Sequence, residues 1–181
     1  MRKINKTFWG ELRLYLCNYW ISCIPSHTIR LWYYRKIMKF KIGKGSSILM
    51  RCTFDAAKGL EMGENSVINA NCRIDTRGAG VKIGNNASIS ADVFLLTSDH
   101  DMNNNFEGRR GFIHIADYVW IGTRATILPN IKIRKGAVIA AGAVVTEDVE
   151  ERQVVAGIPA KCIKIRADSF NYTISYRRLF Q

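Results

Sequence analysis

Few residues in this chain are of a type that does chemistry, and His100 is the best placed among them. It sits in Thr97-Ser98-Asp99-His100-Asp101, flanked by two carboxylates, where a polar segment begins. An imidazole titrates near neutrality, so one held beside a hydroxyl can take its proton as that oxygen attacks a carbonyl carbon. Positioned general base catalysis of this kind contributes roughly 10²–10⁴-fold. A satisfied corner histidine is the other reading, and the residues alone leave both open. The remaining histidines, His27 and His114, lie apart from it in sequence, and no metal site is expected. Five cysteines (Cys17, Cys23, Cys52, Cys72, Cys162) form an odd set without any C-x-x-C spacing. Neither a disulfide framework nor a zinc site is expected from them, a reducing compartment fits, and each reads as a small buried hydrophobe.

The elements that must position His100 are written in a repeat. An aliphatic residue returns every six positions: Ile115, Ile121, Ile127, Ile133, Ile139 and Val145 form the longest run. Upstream come Ile42, Ile48 and Phe54, then Met62, Ile68 and Ile74, then Ile83, Ile89 and Leu95. Four positions after each, the slot is mostly small or apolar, as at Ser46, Cys52, Cys72, Ala87, Val119 and Ala143; Lys58 and Asp99 depart from this. A helix needs a period of 3.6 and a half-buried strand a period of 2. Six suits a short strand plus a corner. Three such sides make a triangular coil, and coils stacked ~4.8 Å apart pair each strand in parallel with the next. The expected fold class is all-β: a parallel β-helix of five coils over 42–59, 62–79, 83–100, 115–132 and 133–150. Gly43, Gly63, Gly84, Asn85, Gly122 and Gly136 are expected at tight corners needing φ > 0.

Between Leu95 and Ile115 the repeat is interrupted by a fourteen-residue excursion, residues 101–114. A polar loop of that length in a compact domain is more often functional than idle. Residues 1–41 read as an N-terminal helical cap, with Phe8, Leu12, Leu16, Tyr19 and Cys23 at helical spacing. Residues 151–181 read as a closing strand and turn followed by a short aromatic and basic extension over 166–181. The net charge of +12 is uneven: residues 1–41 hold nine Lys/Arg against Glu11, residues 161–181 hold five against Asp168, and 42–160 balance at thirteen each. No basic core for nucleic acid is therefore expected. The front segment suits a cap packed on the first coil or, through a basic aromatic face, contact with an anionic membrane surface. No signal peptide or membrane span is expected, which points to the cytoplasm, with the membrane's inner face as one setting.

Asp117-Tyr118-Val119-Trp120-Ile121-Gly122, Ala125-Thr126-Ile127-Leu128-Pro129, Ala140-Ala141-Gly142-Ala143-Val144-Val145-Thr146 and the closing Gly157-Ile158-Pro159-Ala160-Lys161 resemble the hexapeptide-repeat acyltransferases over about residues 42–165. The nearest in look are maltose and galactoside acetyltransferases and bacterial polysaccharide O-acetyltransferases. The resemblance implies a left-handed coil, against the usual right-handed preference of parallel crossovers. It also implies a homotrimer with active sites between subunits, and acetyl-CoA as donor to a sugar or glycan hydroxyl. His100 matches the catalytic base, oriented by Asp99 or Asp101, and the backbone N–H of Thr123 matches the oxyanion donor. Trp120, Thr123, Ala141, Gly142 and Thr146 match positions along the coenzyme. Lys161 and Lys164, with Arg166, match the basic positions near its nucleotide, and Glu147 stands where relatives often carry a base. Asn71 and Asp75 are the nearest matches to the acceptor ligands, and Arg109 and Arg110 suit an anionic sugar.

Among alternatives, the zinc carbonic anhydrases that share this fold need three converging histidines. A non-catalytic scaffold or ice-binding β-helix would show flat rows of threonine and no long loop. An antibiotic-inactivating O-acetyltransferase fits the same motifs, and the basic aromatic front end favours a surface-glycan acceptor.

Overall fold

A large side chain can point inward every six residues only if the backbone turns a corner between each pair. The computed structural model, which describes residues 2–167 and 169–175, turns these corners as a left-handed parallel β-helix. Its first face stacks Lys41–Ile42, Leu60–Met62, Gly80–Ile83, Phe112–Ile115 and Ile131–Ile133 in parallel. The second stacks Ser47–Ile48, Val67–Ile68, Ser88–Ile89, Trp120–Ile121 and Val138–Ile139, and continues into Gln153–Ala156. The third stacks Thr53–Phe54, Arg73–Ile74, Phe94–Leu95, Thr126–Ile127 and Val144–Val145. The register pairs hexad residue with hexad residue, as in Ile89↔Ile121↔Ile139. Every hexad residue except Ile42 is buried, and together they form one column through the molecule. Burial of each such side chain contributes roughly 1.5–3 kcal/mol.

The corners differ from the expectation in an instructive way. Of the six residues expected at φ > 0, only Gly136 has it; the left-handed residues of the first corner are Gly45, Asn65, Asn86, Tyr118 and Gly136, one per coil. The second corner repeats this with Arg51, Asn71, Asp92, Arg124 and Gly142. Gly43, Gly63, Gly84 and Gly122 are needed for close approach instead: a Cβ on Gly63 would lie 2.7 Å from the Gly84 carbonyl carbon, and one on Gly122 2.6 Å from the Ala141 nitrogen. Adjacent coils touch through these backbones, which leaves no room for a methyl group.

Ahead of the coils lie helices α1 (Arg2–Tyr19) and α2 (His27–Lys36), joined by a short 3₁₀ turn at Ile21–Cys23. They close the open end of the column. The Asn18 side chain donates from Nδ2 to the Phe54 carbonyl at 2.8 Å and accepts from the Phe54 N–H at 3.0 Å, replacing the missing neighbour strand. Arg35 donates to the carbonyls of Ile42 and Gly43, and buried Arg30 donates to those of Ile24 and Ile48. Tyr34, Phe40 and Phe54 plug the interior, with Phe40 and Phe54 4.7 Å apart. The side of α1 that packs is Leu14, Cys17 and Asn18. The stripe legible in the sequence faces outward: Phe8, Leu16, Tyr19 and Cys23 are exposed and Leu12 is half-buried.

Burial pushes the Cys17 thiol up to about 12, and Cys52 and Cys72 are likewise buried; Cys23 and Cys162 are exposed, contrary to the expectation of a buried set. At the far end Lys161–Ile165 returns antiparallel to Gln153–Ala156. Residues 166–167 and 169–175 then run back along the first corner, where Phe170 stacks on Tyr118 at 5.3 Å and the Ile174 N–H donates to Asn86. Asp168 and the rest of the expected 166–181 extension, residues 176–181, lie outside the described residues.

Candidate active site

The excursion is a hairpin, and its limits differ from those expected. Ser98–Asp101 pairs antiparallel with Glu107–Arg110, and the coil has already resumed at Phe112. Residues 98–100 therefore leave the third coil early, while 112–114 belong to the first face. The hairpin emerges at the third corner, and its base is tied to the coil below. The Gly111 N–H donates to the Thr97 carbonyl at 2.6 Å, and the Thr97 hydroxyl donates to the Asp75 carbonyl.

Asp75 organises this base. Its side chain is fully buried and accepts from the Ser98 hydroxyl at 2.5 Å, from Arg77 Nε and Nη2 at 3.0 Å each, and from the Arg77 N–H. Burial alone would raise its pKa, but the hydrogen bonds from Arg77 and Ser98 prevail and hold the carboxyl down at about 2. Asp75, expected to face an acceptor, is thus bonded to Arg77 and Ser98 at the hairpin base.

His100 is exposed on the first strand of the hairpin. Asp99 or Asp101 was expected to orient it, and both carboxylates face Arg109. Asp99 accepts from Arg109 Nε and Nη2 at 2.9 Å each, and Asp101 lies 3.8 Å from Arg109 Nη1. The imidazole is instead stacked flat on Phe106, ring centroids 4.2 Å apart and planes 7° from parallel. Nothing in the sequence singled out Phe106. The Asp99/Arg109 pairing was signalled only by opposite charges on either side of Asn103-Asn104-Asn105, a run of turn formers.

The other candidate residues gather at the second corner. Trp120, on the second face, is half-exposed and donates from Nε1 to the Ser90 hydroxyl at 3.2 Å. Thr123 is exposed; its hydroxyl donates to the Ala91 carbonyl at 2.7 Å, and its own carbonyl accepts from the Gly142 N–H at 2.8 Å. Ala141, Gly142 and Thr146 are exposed one coil further on. Asn71 lies on this same corner, at φ +61°, with its side chain exposed. Lys161 sits 3.5 Å from Glu147, and Lys164 is exposed in the strand paired with Gln153–Ala156. Arg166 is drawn away, donating to the carbonyls of Tyr118 and Gly136. Within one chain, then, Trp120, Thr123, Ala141 and Gly142 come together, while His100 and Arg109 stand at a different corner of the triangle.

A groove of about 550 Å³ lies elsewhere, on the first face between Lys41, Glu61, Lys82, His114 and Lys135. It contains none of the candidate catalytic, coenzyme or acceptor residues, and runs along the outside of the first face and its corner. Among the described residues no three His, Cys, Asp or Glu side chains converge as a metal site.

Two family models match the coil region: a bacterial transferase hexapeptide of six repeats over residues 112–147, and a hexapeptide repeat of succinyl-transferase over 59–97. The putative acetyltransferase YvoF of Bacillus subtilis is 31% identical over 141 residues, covering 77% of this chain and 68% of that one. The galactoside O-acetyltransferase of Escherichia coli is 30% identical over 133 residues, covering 71% of this chain and 65% of that one. The chain spans 65% and 55% of two putative acetyltransferases, of Saccharomyces cerevisiae and Schizosaccharomyces pombe, at 36% identity. Among solved structures, the hexapeptide-repeat acetyltransferase VCA0836 of Vibrio cholerae, complexed with acetyl coenzyme A, superposes with a TM-score of 0.80 at 25% identity, covering 86% of each chain.

Proposed function

The chain belongs to the hexapeptide-repeat acetyltransferase family, and from that premise we propose that it transfers an acetyl group from acetyl-CoA to a sugar hydroxyl during synthesis of a bacterial surface polysaccharide. The observation that carries this reading is the division of candidate residues between two corners. A histidine on an exposed hairpin at the third corner and an open backbone column at the second are complementary halves. A homotrimer would bring each third corner against a neighbour's second corner and so make three sites between subunits. The relatives support the donor and the acceptor class: one is a galactoside O-acetyltransferase, and another was solved with acetyl coenzyme A.

In this reading His100 takes the acceptor's hydroxyl proton as its oxygen bonds to the thioester carbonyl carbon. The carbon–sulfur bond breaks, and the proton ends on the departing sulfur, so transfer is direct within a ternary complex. The Thr123 N–H faces the carbonyl oxygen as charge grows there. Trp120 flanks the thioester arm, the backbone of Ala141, Gly142 and Thr146 meets pantetheine, and Lys161 and Lys164 meet the nucleotide end. Asn71 and Arg109 face the acceptor, while Asp75 serves by holding Ser98 and the hairpin base. The setting is the cytoplasm, at the inner face of the membrane.

The test is thiol release from acetyl-CoA with a panel of sugar and glycan acceptors, comparing wild type with His100→Ala. Acceptor-dependent release that falls at least about a hundredfold in the variant is expected. Acceptor-dependent release indifferent to the substitution would remove His100 from the mechanism, and no release with any acceptor would remove the activity.

A further inference from the structure

The outer side of α1 carries an apolar surface that no element among the described residues covers. Phe8, Trp9, Tyr15 and Tyr19 are 54–68% exposed, Leu16 is 38% exposed, and Trp20 continues the stripe just past the helix at 65%. Their spacing places them on one side: positions 8, 12, 15, 16 and 19 repeat at helical intervals, with Trp9 along the edge. On α2, Ile29 and Trp32 are 47% and 56% exposed at the same end of the molecule. The opposite side of α1 is committed, since Cys17 is fully buried and Asn18 is bonded to Phe54. The helix is therefore held in place and cannot turn this surface inward.

Each aromatic ring offers roughly 150–250 Å², so the five exposed rings from Phe8 to Trp20 present on the order of 600 Å². That is at the upper end of the patches a soluble monomer leaves bare, where such patches mark interaction sites. Two features select the partner. Tryptophan and tyrosine beside leucine and phenylalanine is the composition of a helix lying in a lipid interface, apolar bodies down and polar edges at the headgroups. The same segment, residues 1–41, holds nine Lys/Arg against one Glu; Arg30 is buried, Arg35 is bonded to the Ile42 and Gly43 carbonyls and Lys41 is paired with Glu61, which leaves six basic residues against that one Glu. Two copies meeting through this surface would bring like charge against like, whereas an anionic bilayer would neutralise it.

We propose that α1 and Trp32 form a docking surface for an anionic lipid membrane, on which the enzyme lies with its N-terminal end down. No helix among the described residues is long and apolar enough to cross a membrane, so the contact is peripheral. It deepens the setting proposed above and rests on it only for the acceptor's location, because the surface is a property of this chain alone. In a trimer the three α1 helices share one end, and their contacts add as avidity.

The test is co-sedimentation of the full chain with vesicles of equimolar phosphatidylglycerol and phosphatidylcholine, against pure phosphatidylcholine. The variant is W9S/L16E/Y19S, three exposed positions away from the packed side. Wild type is expected to partition at least about tenfold more onto the anionic vesicles and to be released by high salt, with blue-shifted tryptophan emission when bound. The variant is expected to lose at least about tenfold in partition while keeping its circular dichroism, its mass by light scattering and its acetyl transfer to a soluble sugar. Wild type left in the supernatant, or a variant that binds as well, overturns the proposal. A variant that changes oligomeric mass overturns it too, since the surface would then be a subunit contact. The soluble-sugar assay stands apart: activity without vesicle binding rejects the docking surface alone, and binding without activity rejects the acetyl transfer alone.

Discussion

The coil stack and the hairpin that leaves it are built on opposite principles. In the stack one aliphatic residue per face enters a column buried throughout, and each strand is held by its neighbours above and below. In the hairpin the second strand, Glu107–Arg110, is exposed along its whole length, and its shape rests on a few polar contacts: Asp75 with Ser98 and Arg77 at the base, and Arg109 with Asp99 across the middle. Stability is thus concentrated in the stack, and the proposed base sits where little stability is at stake. Substitutions in the two regions should separate cleanly, the hairpin moving rate and the stack moving Tm.

The largest separation is expected at His100. His100→Ala should lower acceptor-dependent turnover by roughly 10²–10⁴-fold and leave Tm unchanged, because the imidazole is exposed and stacks on Phe106 of the same hairpin; a Tm that falls in step with activity would break the comparison. Ile121→Ala is its counterpart in the stack. It removes a fully buried side chain from the middle of the column and should cost about 2–5 kcal/mol in chemical denaturation, with kcat retained in the folded fraction. Asp75→Asn tests the joint between the regions. A carboxyl held at about 2, against an ordinary value near 3.9, stabilises the fold fully above that ordinary range and ceases to do so as pH falls through about 2. The variant should therefore lose about 2 kcal/mol at neutral pH, and its stability should no longer decline between pH 4 and 2 as wild type's does. The smallest effect is expected at Arg109→Leu, which frees Asp99 and Asp101 without touching the stack. A few-fold fall in kcat with unmoved Tm would show that the clamp only poises the hairpin, and a loss as large as that of His100→Ala would make Arg109 part of the chemistry.

The stack was the legible region, for a physical reason. Its period is local, so Ile115 through Val145 announce each strand and each corner without knowledge of what they pack against. Corner chemistry was only half legible: that Gly63 and Gly122 are required follows from the sequence, but the cause is the backbone of the next coil, a contact twenty residues away. Seven of the ten left-handed corner positions, Tyr118 and Arg124 among them, carry no glycine to mark them. In the hairpin the residue types were visible and the pairings were not. Asp99 or Asp101 read as the partner of the histidine between them; in an extended strand both carboxylates point to the side opposite the imidazole, where a guanidinium from the paired strand reaches both. The Phe8 to Tyr19 stripe was legible and its direction was not, because helical periodicity reports that a side is apolar and not which way it faces.

The interruptions of the six-residue rhythm all fall in one place. Two extra residues between Phe54 and Met62, three between Ile74 and Ile83, and fourteen between Leu95 and Ile115 each lie between the third face and the first. The other two corners keep a constant count, because a change there would shift every inward side chain that follows. The third corner is therefore where chain length is free to drift without disturbing the column. A lineage could splice a different hairpin there, or lengthen this one, and inherit the folded scaffold intact, so that acceptor preference evolves as an exchangeable cassette on an unchanging frame.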